Sequence, residues 1–220
     1  MKRQYLGDSK DSFKWDYLHF LVETLGYSQL KIAWMMTPDD DGPDGKTPPD
    51  LFPARPEILR FCNNLRSTRD PALLSGLPTT TGARYAVSLH NPDENLNGAN
   101  RDSYFSGIES GPDQVLFLDP DNGFEPECSF SKKHVLYSDV GRIIKTISSE
   151  SVVTVFQHHR RKKFPDDFAR IRERLQSGYS AAIYWHSLML VSVSSSPAII
   201  NRVCKVNLEY AKRRPVEVLA

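Results

Sequence analysis

Gly111-Pro112-Asp113-Gln114-Val115-Leu116-Phe117-Leu118-Asp119-Pro120-Asp121-Asn122-Gly123-Phe124-Glu125 is the stretch on which the fold turns. Its centre, Val115 to Leu118, is a continuous apolar tetrad closed on both sides by turn-forming pairs, Gly111-Pro112 and Asp119-Pro120. A strand with one wet face alternates apolar and polar residues. A continuous run has no wet face, so the tetrad reads as a strand of a parallel sheet covered by helices on both sides. Val152-Val153-Thr154-Val155-Phe156 reads the same way. Leu30-Lys31-Ile32-Ala33-Trp34-Met35-Met36 is a third run of strand length, closed by Thr37-Pro38.

Helical patterns lie around these strands. Asp8 followed by Asp11 marks a helix start, Phe13, Tyr17, Phe20, Leu21 and Leu25 recur at helical spacing, and Gly26 ends the run. Pro56 opens a helix with Ile58, Leu59, Cys62 and Leu65 inward. Arg84 to Leu89 alternates as a strand, and the polar stretch 90–101 is a loop with a short helical piece near Tyr104. Val140, Ile143, Ile144 and Ile147 form the inner stripe of another helix, as do Phe168, Ile171 and Leu175 in a helix opened by Pro165 and stopped by Gly178. Ala181 to Trp185 and Leu188 to Val193 form an antiparallel pair around His186-Ser187. Ser196-Pro197 caps a last helix through Ile200, Val203 and Tyr210, and the basic tail Lys212-Arg213-Arg214 is expected to fray. Strands alternating with helices require crossovers. The expected fold is therefore a single Rossmann-like α/β domain over 1–220, a three-layer sandwich with a mostly parallel sheet and a C-terminal antiparallel pair.

The 220 residues carry 28 basic and 27 acidic side chains, a formal charge of +1, which excludes a polycation; any hold on nucleic acid must come from a local patch. No run approaches 18 apolar residues, so no membrane span is expected, and the polar start gives no signal peptide. A cytoplasmic protein is expected. Cys62, Cys128 and Cys204 are far apart and read as reduced thiols. Nothing in the sequence fixes the oligomeric state.

In an open α/β sheet the loops leaving the carboxyl ends of parallel strands gather on one rim, where ligands bind. Loops 37–46, 119–127 and 157–163 should therefore bring together an acidic loop, a carboxylate-amide turn and a basic run. Pro120 fixes φ after the buried strand and aims Asp119 out of the sheet end, while Asn122-Gly123 tolerates positive φ. Asp119, Asp121 and Glu125 are then placed to hold Mg²⁺ or Mn²⁺, or to split their pKa values as acid and base; the same residues also make an ordinary reverse turn. Gln157-His158-His159-Arg160-Arg161-Lys162-Lys163 carries four consecutive positive charges ahead of a helix start, an attraction for phosphate that competes with a plain solvated face. Adjacent His158 and His159 point to different sides, which argues against zinc. The loop with Asp39, Asp40, Asp41 and Asp44 has no EF-hand alternation and no G-x-G-x-x-G, although Gly42 and Gly45 leave room for an irregular turn. Asp11 and Lys14, three apart, fit a simple intrahelical ion pair. Trp15 and Trp34, with apolar neighbours, read first as packing residues.

Taken together, Gly7-Asp8-x-x-Asp11-x-x-Lys14, Trp34-Met35-Met36-Thr37-Pro38-Asp39-Asp40, the 119–125 turn and Phe156-Gln157-His158 with Arg160 resemble an uncharacterised bacterial family with these four blocks in this order. The first block and the Asp-Pro turn are more distantly similar to the J-type large-subunit rRNA adenine N6-methyltransferases. That resemblance implies a Rossmann-like methyltransferase sheet, S-adenosylmethionine as cofactor, and a turn whose Asp takes the amine of a flipped base. Carried over, Asp119 takes the amine. Asp121-Asn122 stands where that family has Pro-Tyr, so the stacking aromatic is missing unless Phe124 swings in. The expected catalytic residues are Asp119, Asp121, Asn122, His158 and Lys14. Trp34, Thr37, Asp39, Asp8 and Asp11 are the expected cofactor contacts, and Gln157, Arg160, Arg161 and Lys162 the phosphate contacts. Three functions stay open. One is a methyltransferase-like enzyme acting on nucleic acid or nucleotides. Another is a Mg- or Mn-dependent nuclease or phosphodiesterase using Asp119, Asp121 and Glu125, with His158 as base or phosphate contact. The third is a non-catalytic nucleic-acid-binding module.

Overall fold

The apolar runs become neighbouring strands of one sheet. In chain order the computed structural model has α1 (Ser9–Leu25), β1 (Gln29–Trp34), α2 (Pro56–Thr68), α3 (Leu77–Thr81), β2 (Ala86–His90), α4 (Arg101–Ser106), β3 (Gln114–Asp119), β4 (Gly123–Phe124) and β5 (His134–Val135). It continues with α5 (Tyr137–Thr146), β6 (Val152–His158), α6 (Phe164–Arg174), β7 (Tyr179–Trp185), β8 (Leu188–Ser194), α7 (Pro197–Ala211) and β9 (Glu217–Leu219). Residues 1–39, 45–109, 111–175 and 178–220 are described; Asp40, Asp41, Gly42 and Asp44 of the expected acidic loop lie outside them.

The seven-stranded sheet has the order β2-β1-β3-β6-β8-β7-β9, and β4 with β5 forms a separate parallel pair. β2, β1, β3 and β6 pair in parallel, β8 reverses against β6, β7 reverses against β8, and β9 closes the edge antiparallel to β7. β7 thus shares the direction of β6, and the sheet is mostly parallel. The chain leaves β1 for β2 on one side and later enters β3 on the other. The crevice between the carboxyl ends of β1 and β3 is therefore the topological switch point, where a Rossmann-like sheet binds ligands.

Both faces of the sheet are dry. Leu30, Ile32 and Trp34 of β1 and Val115 and Phe117 of β3 face a cluster that includes Phe13 and Leu18 of α1, Ile58 of α2 and Val203 of α7. Ala33, Leu116 and Leu118 face a second cluster with Tyr104 of α4, Ile143 of α5 and Ile171 of α6. Successive strand residues thus point into different cores, which is why the runs had to be apolar throughout. Each such Val, Leu, Ile or Phe side chain contributes about 1.5–3 kcal/mol on full burial.

α1 begins where the sequence indicated. Asp8 accepts from Lys10 N at 2.9 Å and Asp11 N at 3.0 Å, and Gly26, at φ 72°, ends the helix. It is no ordinary surface helix, since Asp11, Lys14, Asp16 and His19 are buried along with its apolar residues. Three expectations need correction. β1 stops at Trp34, and Met36 makes only an isolated bridge to Asn95. α6 stops at Arg174, and Gly178, at φ 119°, precedes β7 instead of capping the helix. The basic tail does not fray: Arg214 Nε donates to buried Asp16 at 2.9 Å, and β9 follows. Among the described residues no helix is long and apolar enough to cross a membrane.

Candidate functional site

Asp119 is the last residue of β3, and Lys14 sits in the second turn of α1, which packs against β1 and β3. Lys14 Nζ lies 2.9 Å from Asp119 Oδ2 and 2.6 Å from Asp11 Oδ1, and all three side chains are at most 2% exposed. One ammonium therefore serves two buried carboxylates. Burial works against the charge on Lys14, but Asp11 and Asp119 outweigh it and hold the ammonium above the usual lysine range. Burial pushes the Asp119 carboxyl up, with Lys14 opposing. Among the described residues Asp119 Oδ1 has no hydrogen-bond partner, whereas Asp11 Oδ2 accepts from Gly7 N at 2.8 Å.

These groups line a cavity of about 270 Å³. Of the expected residues, Asp8, Asp11, Lys14, Asp119, Asp121, Asn122 and His158 meet there, so segments separated by more than a hundred residues do share one rim. Asp121 Oδ2 accepts from Thr37 Oγ1 at 2.5 Å, and its Oδ1 lies 2.6 Å from the Met1 amino group. Lys10 Nζ is 3.1 Å from His158 Nε2, and His158 Nδ1 is 3.2 Å from the His159 carbonyl. An ammonium only donates, so this pairing fits a neutral imidazole with its proton on Nδ1.

Burial, then the Asp11 charge, raises the Asp8 carboxyl from 3.8 to about 6. A carboxyl raised by folding contributes stability below its unfolded value and loses it as pH rises through the folded value. Stability is therefore expected to fall between about pH 4 and about pH 6 in the native chain relative to Asp8→Asn, which cannot titrate. Urea unfolding of both proteins across that range measures the difference, and parallel pH profiles would refute it.

The expected three-carboxylate cluster does not form. Gly123-Phe124 pairs with His134-Val135, carrying Glu125 away toward α5, where its Oε1 accepts from Tyr137 N at 2.9 Å. Among the described residues no group of three His, Cys, Asp or Glu is placed to hold a metal ion. Gln157 is fully buried and stands outside the cavity lining. Its buried Oε1 accepts from Phe124 N at 2.9 Å and from Arg160 at 2.8 Å, so both residues brace the turn. Gly123, at φ 99°, has no room for a side chain, because a Cβ would meet Gln157 Oε1 at 2.3 Å. Burial lowers the Arg160 pKa, and Asp167 lies 3.6 Å from its Nε. Arg161 and Lys162 are exposed and stand outside the cavity lining, Lys162 pairing with Glu127 at 3.1 Å. Trp34 packs in the core, as its apolar neighbours indicated, with its carbonyl accepting from Tyr104 Oη at 2.8 Å.

Thr37 and Asp39 line a second cavity of about 180 Å³, together with Arg3, Asp93 and Asn95. Between the two cavities lie the first residues of the chain. Met1 N donates to Met35 O at 2.7 Å, Thr37 N to Met1 O at 2.9 Å, and Gln4 N to Asp39 Oδ1 at 3.2 Å. Each cavity falls below the roughly 300–1,000 Å³ typical of sites for drug-sized ligands. In this arrangement the residues present do not accommodate a whole S-adenosylmethionine, because the crevice beyond β1 is already filled.

Sequence reasoning missed Tyr5, Lys10, Lys133 and Phe156, all of which line the larger cavity. Phe156 had a signal, since it stands two residues before His158 on one face of β6. Lys10 had none, because its partner His158 lies 148 positions away.

No family model matches the chain, and no curated protein matches it. Among solved structures, human methyltransferase-like protein 13 in complex with SAH is similar at TM-score 0.41 and 12% identity, over 93% of this chain and 90% of that one. A Legionella pneumophila protein assigned to the family model DUF519 is similar at TM-score 0.43 and 11% identity, over 97% of each chain. Strand order and site geometry, not likenesses at this level, define the architecture.

Proposed function

We propose that this chain is an enzyme of methyltransferase-like architecture directed at nucleic acid or nucleotides, with a substrate amine seated on Asp119. The observation that carries this is Asp119, a residue of the cavity lining whose buried Oδ1 has no partner among the described residues while Lys14 holds Oδ2. A buried acceptor left unpaired costs about 1–3 kcal/mol, and more when charged, so the site favours a ligand that brings a donor. The exocyclic amine of a base is such a donor. Phe156 and Tyr5 line the cavity as aromatic rings, and Lys10 and Lys133 add positive charge for a neighbouring phosphate. The cavity volume suits a base better than a whole nucleotide.

Asp119 would accept one N–H and orient the amine so that its nitrogen faces the cavity. Lys14 would keep that carboxylate charged and fixed. His158 would take a proton only after Lys10 releases Nε2. S-adenosylmethionine, the methyl donor the family resemblance implies, enters this reading only with the first residues displaced.

Adenine and hypoxanthine differ at the exocyclic position and test the reading directly. A hydrogen bond to a charged acceptor is worth roughly 1.5–3 kcal/mol, so adenine should bind about ten- to a hundredfold tighter, and Asp119→Asn should erase that preference. Ligand-observed NMR titration gives both constants. Equal binding of the two bases to the native protein would remove the proposal.

A further inference from the structure

A further cleft opens on the same rim, at the carboxyl end of β7. Its volume is about 530 Å³, and Leu51, Pro53, Trp185, His186, Pro215 and Glu217 line it. The strand register fixes how it relates to the Asp119 cavity. His158 of β6 pairs with Leu188 of β8, and Leu188 pairs with Trp185 of β7. Residues directly paired across strands point to one face of a sheet, so His158 of the cavity and Trp185 of the cleft share a face, two strand spacings or about 10 Å apart. α1 covers that interval. Its Lys10 Nζ is 3.1 Å from His158 Nε2, and Phe13, three residues on, meets Trp185 edge-on with ring centroids 6.2 Å apart. The chain from Gly45 to Pro53 also runs from one to the other, Gly45 lining the cavity and Leu51 and Pro53 the cleft.

What the cleft offers is ring surface without positive charge. Trp185 is half-buried and rests on Phe52, centroids 5.0 Å apart, while exposed His186 lies 4.5 Å from the Trp185 ring. His186 takes φ 50° at the first position of the two-residue turn into β8, where glycine or asparagine is the ordinary choice. The turn gains nothing from an imidazole; the cleft gains a second exposed ring. Among the described residues no lysine or arginine lines the cleft, and the Glu217 carboxylate, which accepts from Tyr184 Oη, repels a phosphate. A flat uncharged ring fits where a backbone phosphate does not.

We propose that this cleft is a stacking subsite for a second base of the same single strand whose first base is seated on Asp119. The ligand class rests on the nucleic-acid reading above; the placement rests on the register. Stacked nucleotides are about 3.4 Å apart, so about 10 Å is three of them, and fewer when the bases are splayed. The strand would cross the rim past Lys10, with its phosphates on that side and its second base turned into the cleft. The substrate is then a strand of several nucleotides and not a free nucleotide. Stacking on an aromatic ring is indifferent to which base it receives, so the cleft adds affinity and length dependence, while Asp119 reads the amine.

A heptanucleotide with one central adenine and thymines on both sides is the probe, set against the same strand made abasic at every thymine. Both carry the same phosphates, and thymine has no exocyclic amine to seat on Asp119. The strand with its bases should bind the full chain about five- to a hundredfold tighter. Trp15 and Trp34 are at most 1% exposed, so quenching of tryptophan fluorescence reports Trp185 and should accompany the first strand alone. His186→Gly keeps the positive φ of the turn and should cut the affinity ratio several-fold. Trp185→Leu should bring it close to one. Ribose and deoxyribose strands should give the same ratio, because the ring and not the sugar is held. Equal affinity for the two strands, fluorescence unchanged at saturation, a ratio untouched by His186→Gly, or a gain confined to one sugar would each overturn the proposal. Hypoxanthine in place of the central adenine reads Asp119 and the ratio reads the cleft, so either reading can fail alone.

Discussion

Lys14→Met is expected to lower the melting temperature by about 10 °C, from a cost near 3–5 kcal/mol for breaking a buried pair and roughly 2–4 °C per kcal/mol in a chain of this size. Methionine matches the length and apolar stem of lysine, so the cavity changes little in volume. What changes is charge. Asp11 and Asp119, both 1% exposed, would be left facing each other without the ammonium 2.6 and 2.9 Å away. Asp119 already has its carboxyl pushed up by burial, and without Lys14 it would protonate on folding. A protonated Asp119 accepts an amine poorly, so the adenine preference should vanish along with the stability. The double variant Lys14→Met with Asp119→Asn should recover part of the melting temperature, because one uncompensated charge is gone. Thermal denaturation of the three proteins decides this. A single variant that melts within about 2 °C of the native chain, less than 1 kcal/mol, would mean that Lys14 does not neutralise the pair.

That same triad shows how far the sequence could be read. The strands were legible because a run such as Val115 to Leu118 leaves no wet face, and the rim followed from strands running in one sense. Asp119 and His158 were placed together on that logic, and they do line one cavity. Asp11 and Lys14 were read as an intrahelical pair, which they are, but their burial was not legible. A helix surface acquires its surroundings from distant elements, here β3 and the first residues of the chain, and spacing within the helix carries none of that. Glu125 failed for a related reason. Two residues of pairing, Gly123-Phe124 on His134-Val135, turn the chain away from Asp121, and strands that short leave no periodicity to detect. Gln157 and Arg160 looked like part of a charged surface run, yet the β6 pleat sends Gln157 inward to brace the turn. The tail was misjudged because Lys212 to Arg214 was weighed as solvated charge, with no view of the carboxylate waiting for Arg214.

That carboxylate is Asp16, and Asp16→Ala is expected to cost about 3–5 kcal/mol, comparable to loss of Lys14. Fully buried, it accepts from Arg55 N at 3.1 Å, Arg55 Nε at 2.9 Å, Tyr210 Oη at 2.8 Å and Arg214 Nε at 2.9 Å. A single side chain of α1 thus ties down the start of α2, the end of α7 and the link into β9. Removing it strands one buried hydroxyl and leaves two guanidinium groups, each about a fifth exposed, without their acceptor. Arg55 also lies 3.6 Å from Glu23, so part of its charge stays compensated, whereas Arg214 has no second carboxylate among the described residues. The damage should accordingly fall hardest on the C-terminal side. In Asp16→Ala, hydrogen exchange at the β7–β9 pairing, Ala182 with Leu219 and Ile183 with Val218, should accelerate well beyond that at β1 and β3. Residues 14 and 16 sit about 200° apart around a helix, so Asp16 and Lys14 face different neighbours, and the folded fraction should keep its adenine preference at Asp119. Uniform acceleration across the sheet would show instead that Asp16 supports the whole fold, and that the edge strand has no separate attachment through Arg214.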